Sequence, residues 1–273
     1  MRSGPFVAIA EWAAKKVSQL TASRERPWKA NLLVPVEASQ QLRDSFGIIR
    51  NISYPSGFLK IVGLTGREKE YVLAKELSGV AYEFHDKGVF TPWTVITAAT
   101  FGENLQAGIE TFAGAFFKPN VVFLTMPKDE SRESELKAIL DTCRERKIGV
   151  LLMHEHTEKR KNGPSAVNVW FADREPDWKL EMDIGNQDLA LLMGYKLELN
   201  WKIDLHLVAK VGEAKQKEVA EAFLRLVAET ARIPETDTVA VTDKHEDKAP
   251  QAGLHIFPLP DEVDFSKLRQ YND

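Results

Sequence analysis

Residues 58–84 read FLKIVGLTGREKEYVLAKELSGVAYEF, and their reading decides the fold class. Phe58 to Leu64 is a near-continuous apolar run, the pattern of a strand covered on both faces. Thr65 and Glu68 follow at capping-box spacing. Leu73, Leu77, Val80, Ala81 and Phe84 then recur at helical period. A buried strand leading into an amphipathic helix is half of a βαβ unit, and the flanking sequence repeats it. Upstream, Asn31 to Val36 is a short strand, and Ser39 can cap a helix from Gln40 to about Asn51 with Leu42, Phe46 and Ile49 inward. Downstream, Trp93 to Ala98 is a third strand. Thr100 and Glu103 repeat the capping-box spacing before a helix carrying Leu105, Ile109, Phe112 and Phe116. Lys118-Pro119-Asn120 turns the chain into a strand from Val121 to Met126. A helix with Leu136, Ile139, Leu140 and Cys143 inward leads to a fifth strand, Ile148 to Met153. Strands and helices in this alternation define a parallel sheet with helices on both faces.

Asn162-Gly163-Pro164 is a strong turn signal, and a second, shorter α/β unit follows it. Val167 to Ala172 is a strand. A helix from Gln187 to about Glu198 carries Leu189, Leu192, Met193 and Leu197. Leu205 to Val211 is a strand, and Glu213 to Arg232 is a long helix with Val219, Phe223, Leu226, Val227 and Thr230 on its inner face, stopped by Pro234. Thr238 to Val241 and His255 to Leu259 complete the set, the latter edge-like beside its prolines. Before residue 30, Phe6, Ile9, Ala10, Ala13, Val17 and Leu20 form one stripe at helical spacing. A charged tether ending in Arg26-Pro27-Trp28 follows. The expected organisation is a linker helix and tether (1–29), a first α/β subdomain (30–164) and a second, smaller one (165–273).

Composition narrows the function. The chain has 273 residues, and its 36 basic and 40 acidic side chains leave a formal charge of −4, which argues against a nucleic-acid partner. Cys143 is the only cysteine, so internal disulfides and Cys-cluster zinc sites are excluded. The longest run without charges or histidine, Gly88 to Gly102, is 15 residues and contains Pro92 and four threonines. A spanning helix needs about 20 predominantly apolar residues, so direct membrane insertion is not expected.

Neither G-x-G-x-x-G nor G-x-x-x-x-G-K-[ST] occurs. Both need glycines so that backbone can approach phosphates. Gly63 and Gly66 at one strand-to-helix turn, and Gly212 at another, are weak candidates for an anion site, set against plain turn geometry. His154 and His156 lie two apart at a strand end near Glu155 and Glu158, enough donors for a metal. Solvated strand-end histidines are the simpler reading, and no metal or cofactor is expected. Cys143 on an apolar helix face behaves as a small hydrophobe. There is no nucleophile elbow and no H-E-x-x-H. No catalytic residue emerges, and the chain is not expected to be an enzyme.

Three stretches carry a resemblance to a family. Pro27-Trp28 running into Leu32-Leu33-Val34 resembles the start of the cytoplasmic C-terminal domain of cation-chloride cotransporters. Lys118-Pro119-Asn120 with the apolar residues after it is similar to that family's K-P-N turn and strand. The longest match runs through Trp170-Phe171, Asp183 to Gly185, Leu191-Leu192 with Tyr195, and Trp201 before the Leu205 strand. Departures accompany it. The family's Trp-Trp is Trp170-Phe171 here, its acidic-glycine stretch is broken, and its proline before tyrosine is Gly194. Long phosphorylatable insertions are lacking, so kinase control is not carried over. The chain resembles a compact, prokaryote-like member of Na-K-Cl type.

The resemblance implies two universal-stress-protein-like subdomains related by a pseudo-two-fold, and association as a homodimer. It implies a regulatory and assembly role at the cytoplasmic side of the membrane, with ion-binding residues in a transmembrane domain of the same polypeptide. Phe6, Ile9, Trp12, Ala13, Val17 and Leu20 become the linker or dimer candidates. The alternative is a stand-alone nucleotide sensor of universal-stress type. That family's G-x-x-G-x9-G-[ST] is missing, because Glu76-Leu77 stands where Gly-Ser is required.

Overall fold

The structure, a computed structural model, describes residues 29–97, 108, 118–127, 129–154, 164–172, 174, 178, 186–233, 236–242 and 249–270. Among these, two parallel sheets follow one another along the chain. The first contains β1 (Asn31–Val36), β2 (Phe58–Thr65), β3 (Trp93–Thr97), β4 (Val121–Thr125) and β5 (Gly149–Met153) in the order β3-β2-β1-β4-β5. The second contains β6 (Ala166–Phe171), β7 (Asp204–Val211), β8 (Asp237–Thr242) and β9 (Leu254–Ile256) in the order β8-β7-β6-β9. Every pairing is parallel. The order β8-β7-β6-β9 repeats β3-β2-β1-β4, so the second unit has the connectivity of the first without a fifth strand among the described residues.

Helices α1 (Ser39–Asp44), α2 (Phe46–Ser53) and α3 (Glu70–Asp86) cover one face of the first sheet, and α4 (Glu133–Glu145) covers the other. The expected inward residues of α3 are all buried: Leu73, Leu77, Val80, Ala81 and Phe84. So are Leu136, Ile139, Leu140 and Cys143 of α4. Each fully buried side chain of this size contributes about 1.5–3 kcal/mol.

Local start signals were less faithful than the periodicity. The single helix expected from Gln40 to Asn51 is two, broken at Ser45 (φ −98°, ψ 5°). Ser45 is buried and turns its hydroxyl to the Met153 sulfur at 3.4 Å. Ser39 does not cap; its hydroxyl donates to Glu76 at 2.8 Å. The Gln41 side chain instead accepts from the amides of Glu37 at 2.8 Å and Ala38 at 3.2 Å. No Thr65–Glu68 capping box forms, because the chain first makes a 3₁₀ turn, Arg67–Lys69, with extended Gly66 before it. β7 is followed by the same device, the turn Ala214–Gln216.

In the second unit, α5 (Gln187–Trp201) and α6 (Lys217–Ala231) pack on the face of the sheet formed by Val167, Val169, Phe171, Leu207 and Ala209. The inner face of α6 is Ala220, Phe223, Leu224, Val227 and Ala228. Val219 and Leu226, expected inward, are 48% and 46% exposed, and Thr230 is exposed with its hydroxyl on the Leu226 carbonyl at 2.7 Å. The phase of the stripe is shifted by one residue, which a heptad-like spacing of apolar positions allows. The sequence reading also missed α7 (Phe265–Gln270). Phe265 is buried, and Leu259, Val263 and Leu268 pack beside it on the α4 side of the first sheet. Arg269 reinforces this return with an ion pair to Glu133 at 2.8 Å. The expected helix with Leu105, Ile109, Phe112 and Phe116 lies outside the described residues, as do the linker candidates Phe6, Ile9, Trp12, Ala13, Val17 and Leu20.

Candidate functional site

Asn120 lies where the described chain first enters the fold. Its side-chain carbonyl accepts from the Asn31 amide at 2.9 Å, and its side-chain amide donates to the Lys29 carbonyl at 2.7 Å. Its own amide donates to the Asn31 carbonyl at 3.1 Å, while its carbonyl accepts from the Gly149 amide at 2.9 Å. One residue thus ties Lys29 to the starts of β1, β4 and β5. Pro119 is buried and Lys118 exposed. Proline gives up the donor that the turn has no use for and presets its φ. Pro27 and Trp28, one step upstream, lie outside the described residues.

The two units meet along α2 and α5. Helix α5 has no single apolar stripe, because it buries residues toward both units. Met193 and Leu197 join the core of the first unit, and Ala190 and Leu191 join that of the second. Leu192 and Trp201 lie half-buried against the first core, and Tyr195 against the second. Gly194 permits close approach to the sheet: a Cβ there would lie 2.3 Å from Cγ2 of Val169. Gly47 of α2 meets the Trp201 ring, which would lie 3.2 Å from an added Cβ. At the end of this seam the Asn200 side chain donates to the carbonyls of Asn51 at 2.6 Å and Tyr54 at 2.9 Å. Those acceptors are C-terminal helix carbonyls that lack intrahelical donors. Nearby, the Glu198 carboxyl has its acid strength pushed down, its pKa raised, by burial first and by the Asp204 carboxylate second. Its Oε2 is buried with no hydrogen-bond partner.

Open α/β sheets bind ligands outside the carboxyl ends of strands where the strand order reverses. In the first sheet that point lies between β1 and β4. Glu37, directly after β1, pairs there with Arg132 at 2.6 Å, and Arg132 also reaches Glu135 at 3.4 Å. The crevice is bridged by an ion pair, and the Glu37 carboxylate repels a phosphate. The corresponding point in the second sheet, between β6 and β9, is lined by aromatic rings. Trp170 stacks on Phe257 with centroids 5.5 Å apart and 14° between planes, and its indole N–H donates to Nδ1 of His255 at 3.1 Å. The Gln187 side chain holds the Trp170 carbonyl at 2.9 Å. Phe171, the second residue of that motif, points to the opposite face and is buried against Phe223.

The anion-site glycines are not brought together. Gly63 is buried inside β2, where an added Cβ would lie 2.7 Å from Leu77 and 3.0 Å from Leu73. It is a close-packing residue, not part of a phosphate cradle. Gly66 and Gly212 are exposed at the starts of the two 3₁₀ turns. Burial pushes the Cys143 thiol up to about 12, which keeps it protonated and unreactive near neutral pH. His154 is exposed at the end of β5; His156, Asp183 and Gly185 lie outside the described residues. No group of acidic, His or Cys side chains able to hold a metal occurs among the described residues. Sequence reading passed over Asn200 and the pairing of Asn168 with His206 in the second sheet. There Asn168 accepts from His206 Nδ1 at 2.9 Å and donates to the Pro250 carbonyl at 2.8 Å. A lone Asn or His carries no periodicity, so no local signal marks either.

Residues 34–160 match the family described as prokaryotic cation-chloride cotransporter, C-terminal domain, 1st, and residues 162–273 match its counterpart, 2nd. The crystal structure of the cytoplasmic domain of a prokaryotic cation chloride cotransporter is similar at 38% identity and a TM-score of 0.77, covering 89% of this chain and 91% of that one. A universal stress protein from Archaeoglobus fulgidus DSM 4304 is similar at 12% identity and a TM-score of 0.48, covering 78% of this chain and 77% of that one. No curated protein matches. The chain belongs to the C-terminal domains of prokaryotic cation-chloride cotransporters.

Proposed function

We propose that this chain is the cytoplasmic regulatory and assembly domain of a membrane cotransporter of Na-K-Cl type. It works as a homodimer, and residues 1–29 join it to the transmembrane domain of the same polypeptide. The observation that carries this reading is the Asn120 clamp. It fixes Lys29, the last described residue of the tether, to β1, the central strand of the first sheet. Any displacement of the tether is delivered to that strand, and the α2–α5 seam passes it to the second unit. Regulation of this kind is a coupling free energy between two sites. Ion translocation needs a path through the bilayer, and no helix among the described residues is long and apolar enough to cross a membrane. The role proposed for this chain is one of holding and biasing. Val219 and Leu226, exposed on α6, supply the second unit with an apolar strip for self-association. Static light scattering on the full chain and on a chain lacking residues 1–25 tests the reading. The body is expected to stay folded while self-association weakens or rearranges; identical masses and dissociation constants would refute the tether's part in it.

A further inference from the structure

All five strands of the first sheet run parallel, so the segments that enter them share one end of the unit. Among the described residues these segments are 29–30, 54–57, 87–92, 118–120 and 146–148. Main-chain bonds lace them to the strands beside them. The Phe58 amide donates to Ala30 at 3.0 Å, Leu59 to Phe90 at 3.3 Å, Ile61 to Pro92 at 3.1 Å and Gly149 to Asn120 at 2.9 Å. The end is one fixed surface.

Lys29, Lys87, Lys118, Arg146 and Lys147 stand in these segments, all exposed, and no acidic residue does. The flanking acids are Asp86 and Glu145, at the ends of α3 and α4, and Asp261, whose carbonyl accepts from Arg144. Asp86 pairs with Lys87 at 3.6 Å. The balance at this end is positive in a chain whose formal charge is −4. At the opposite end, where the strands leave, Glu37, Glu68 and Asp129 stand among Arg67, Lys69 and Arg132. Exposed charges more than about 10 Å apart are screened at 0.1 M salt, so a partner meets the local excess and not the net charge.

Aromatic side chains share the basic end. Phe90 is 59% exposed, and Tyr54 and Trp93 are each 37% exposed. Arg50 lies over the Tyr54 ring, 4.7 Å from its centroid. The helix dipole favours cations at Lys87, Arg146 and Lys147, where α3 and α4 end. It does not call for Lys29, which follows no described helix, or for an exposed phenylalanine in a loop.

We infer that this end of the first unit is a membrane-surface contact, with its lysines against anionic lipid headgroups and Phe90 and Trp93 at headgroup level. Basic side chains interleaved with aromatic rings suit the lipid–water boundary. Residues 1–28 leave from Lys29 at this same end, which favours a lipid surface over a polynucleotide. The inference rests on the proposed attachment to a transmembrane domain.

The test is co-sedimentation of the full chain with vesicles of phosphatidylcholine alone, or with one third phosphatidylglycerol. Binding to the anionic vesicles is expected at low salt, at least tenfold weaker to neutral vesicles and at least tenfold weaker at high salt. Each cation at an anionic surface strengthens binding about fivefold. Lys118→Gln with Lys147→Gln should therefore weaken it at least tenfold, and Phe90→Ser severalfold. Arg67→Gln with Lys69→Gln, at the opposite end, should bind as the parent chain does. On the unmodified chain, anionic vesicles should slow amide exchange at Lys87–Phe90 and not at Arg67–Lys69, which decides the matter even if a variant does not fold. No preference for anionic vesicles, equal loss in both double variants, or equal protection at both segments overturns the proposal. So does displacement by inorganic phosphate at constant ionic strength, or equal binding of a single-stranded oligonucleotide. The chain is measured alone, so failure here refutes this surface and leaves the light-scattering result as the separate test of the tether.

Discussion

The side-chain carbonyl of Asn120 accepts the Asn31 amide at 2.9 Å, so a residue 89 positions along the chain completes the first hydrogen bond of β1. The same side chain holds the Lys29 carbonyl. Lys29 and the sheet therefore share one fastening, and its loss has a defined consequence.

Asn120→Ala leaves the Asn31 N–H and the Lys29 carbonyl without these partners. An unsatisfied, partly buried main-chain group costs about 1–3 kcal/mol. Urea denaturation should show a loss in that range with an unchanged m-value, and amide exchange at Asn31 should accelerate well ahead of exchange at Leu59 in β2. Equal protection at both positions would show that Asn120 is not the fastening.

Gly194→Ala tests the seam from within. On an exposed helix this change stabilises by about 1 kcal/mol. At Gly194 the new methyl would lie 2.3 Å from Val169 and 3.2 Å from Leu205. Val169 is β-branched and buried, and cannot swing away. Overpacking of this kind costs about 1–3 kcal/mol, so thermal unfolding should move down. A variant as stable as the parent would mean that α5 stands off the sheet.

Glu198 makes stability depend on pH in a defined direction. Its pKa is raised in the folded chain, by burial and by Asp204, so the folded state holds the proton more tightly than the unfolded state. Stability from this group is fully present below the unfolded carboxylate value and is lost as pH rises through the folded one. Glu198→Gln should therefore raise the melting temperature at pH 7 and change it little near pH 3.5. A variant that melts lower than the parent at pH 7 contradicts this sign.

Much of the architecture was readable because apolar spacing is set by burial. Phe58–Thr65 and Asn31–Val36 are strands for the reason their runs suggest: both faces of the sheet are covered. What failed was local. Ser39 and Thr65 look like caps, but Glu76 claims the Ser39 hydroxyl and a 3₁₀ turn precedes α3. Val219 and Leu226 belong by pattern to the inner face of α6, yet the stripe is displaced by a residue and they face outward. The candidate site was legible in one part. Lys118-Pro119-Asn120 drew notice through resemblance, although nothing local announces that Asn120 bonds Lys29. Asn200 gave no warning, and Gly194 drew notice only as a departure from the family motif, because their importance comes from partners far away in sequence: Asn51 on α2 and Val169 on β6. The short α7 escaped for the same reason, since it is held by the α4 side of the first sheet.

The most direct measurement compares the parent transporter, reconstituted in proteoliposomes, with a form ending before residue 26 of this chain and with the Asn120→Ala form. Uptake of labelled Na⁺, K⁺ and Cl⁻ and the mass of the detergent-solubilised protein are read together. The account predicts that the shortened form still moves ions, at an altered rate and with weakened dimerisation, and that Asn120→Ala shifts the rate in the same direction. Unchanged rate and unchanged mass in both forms would contradict it.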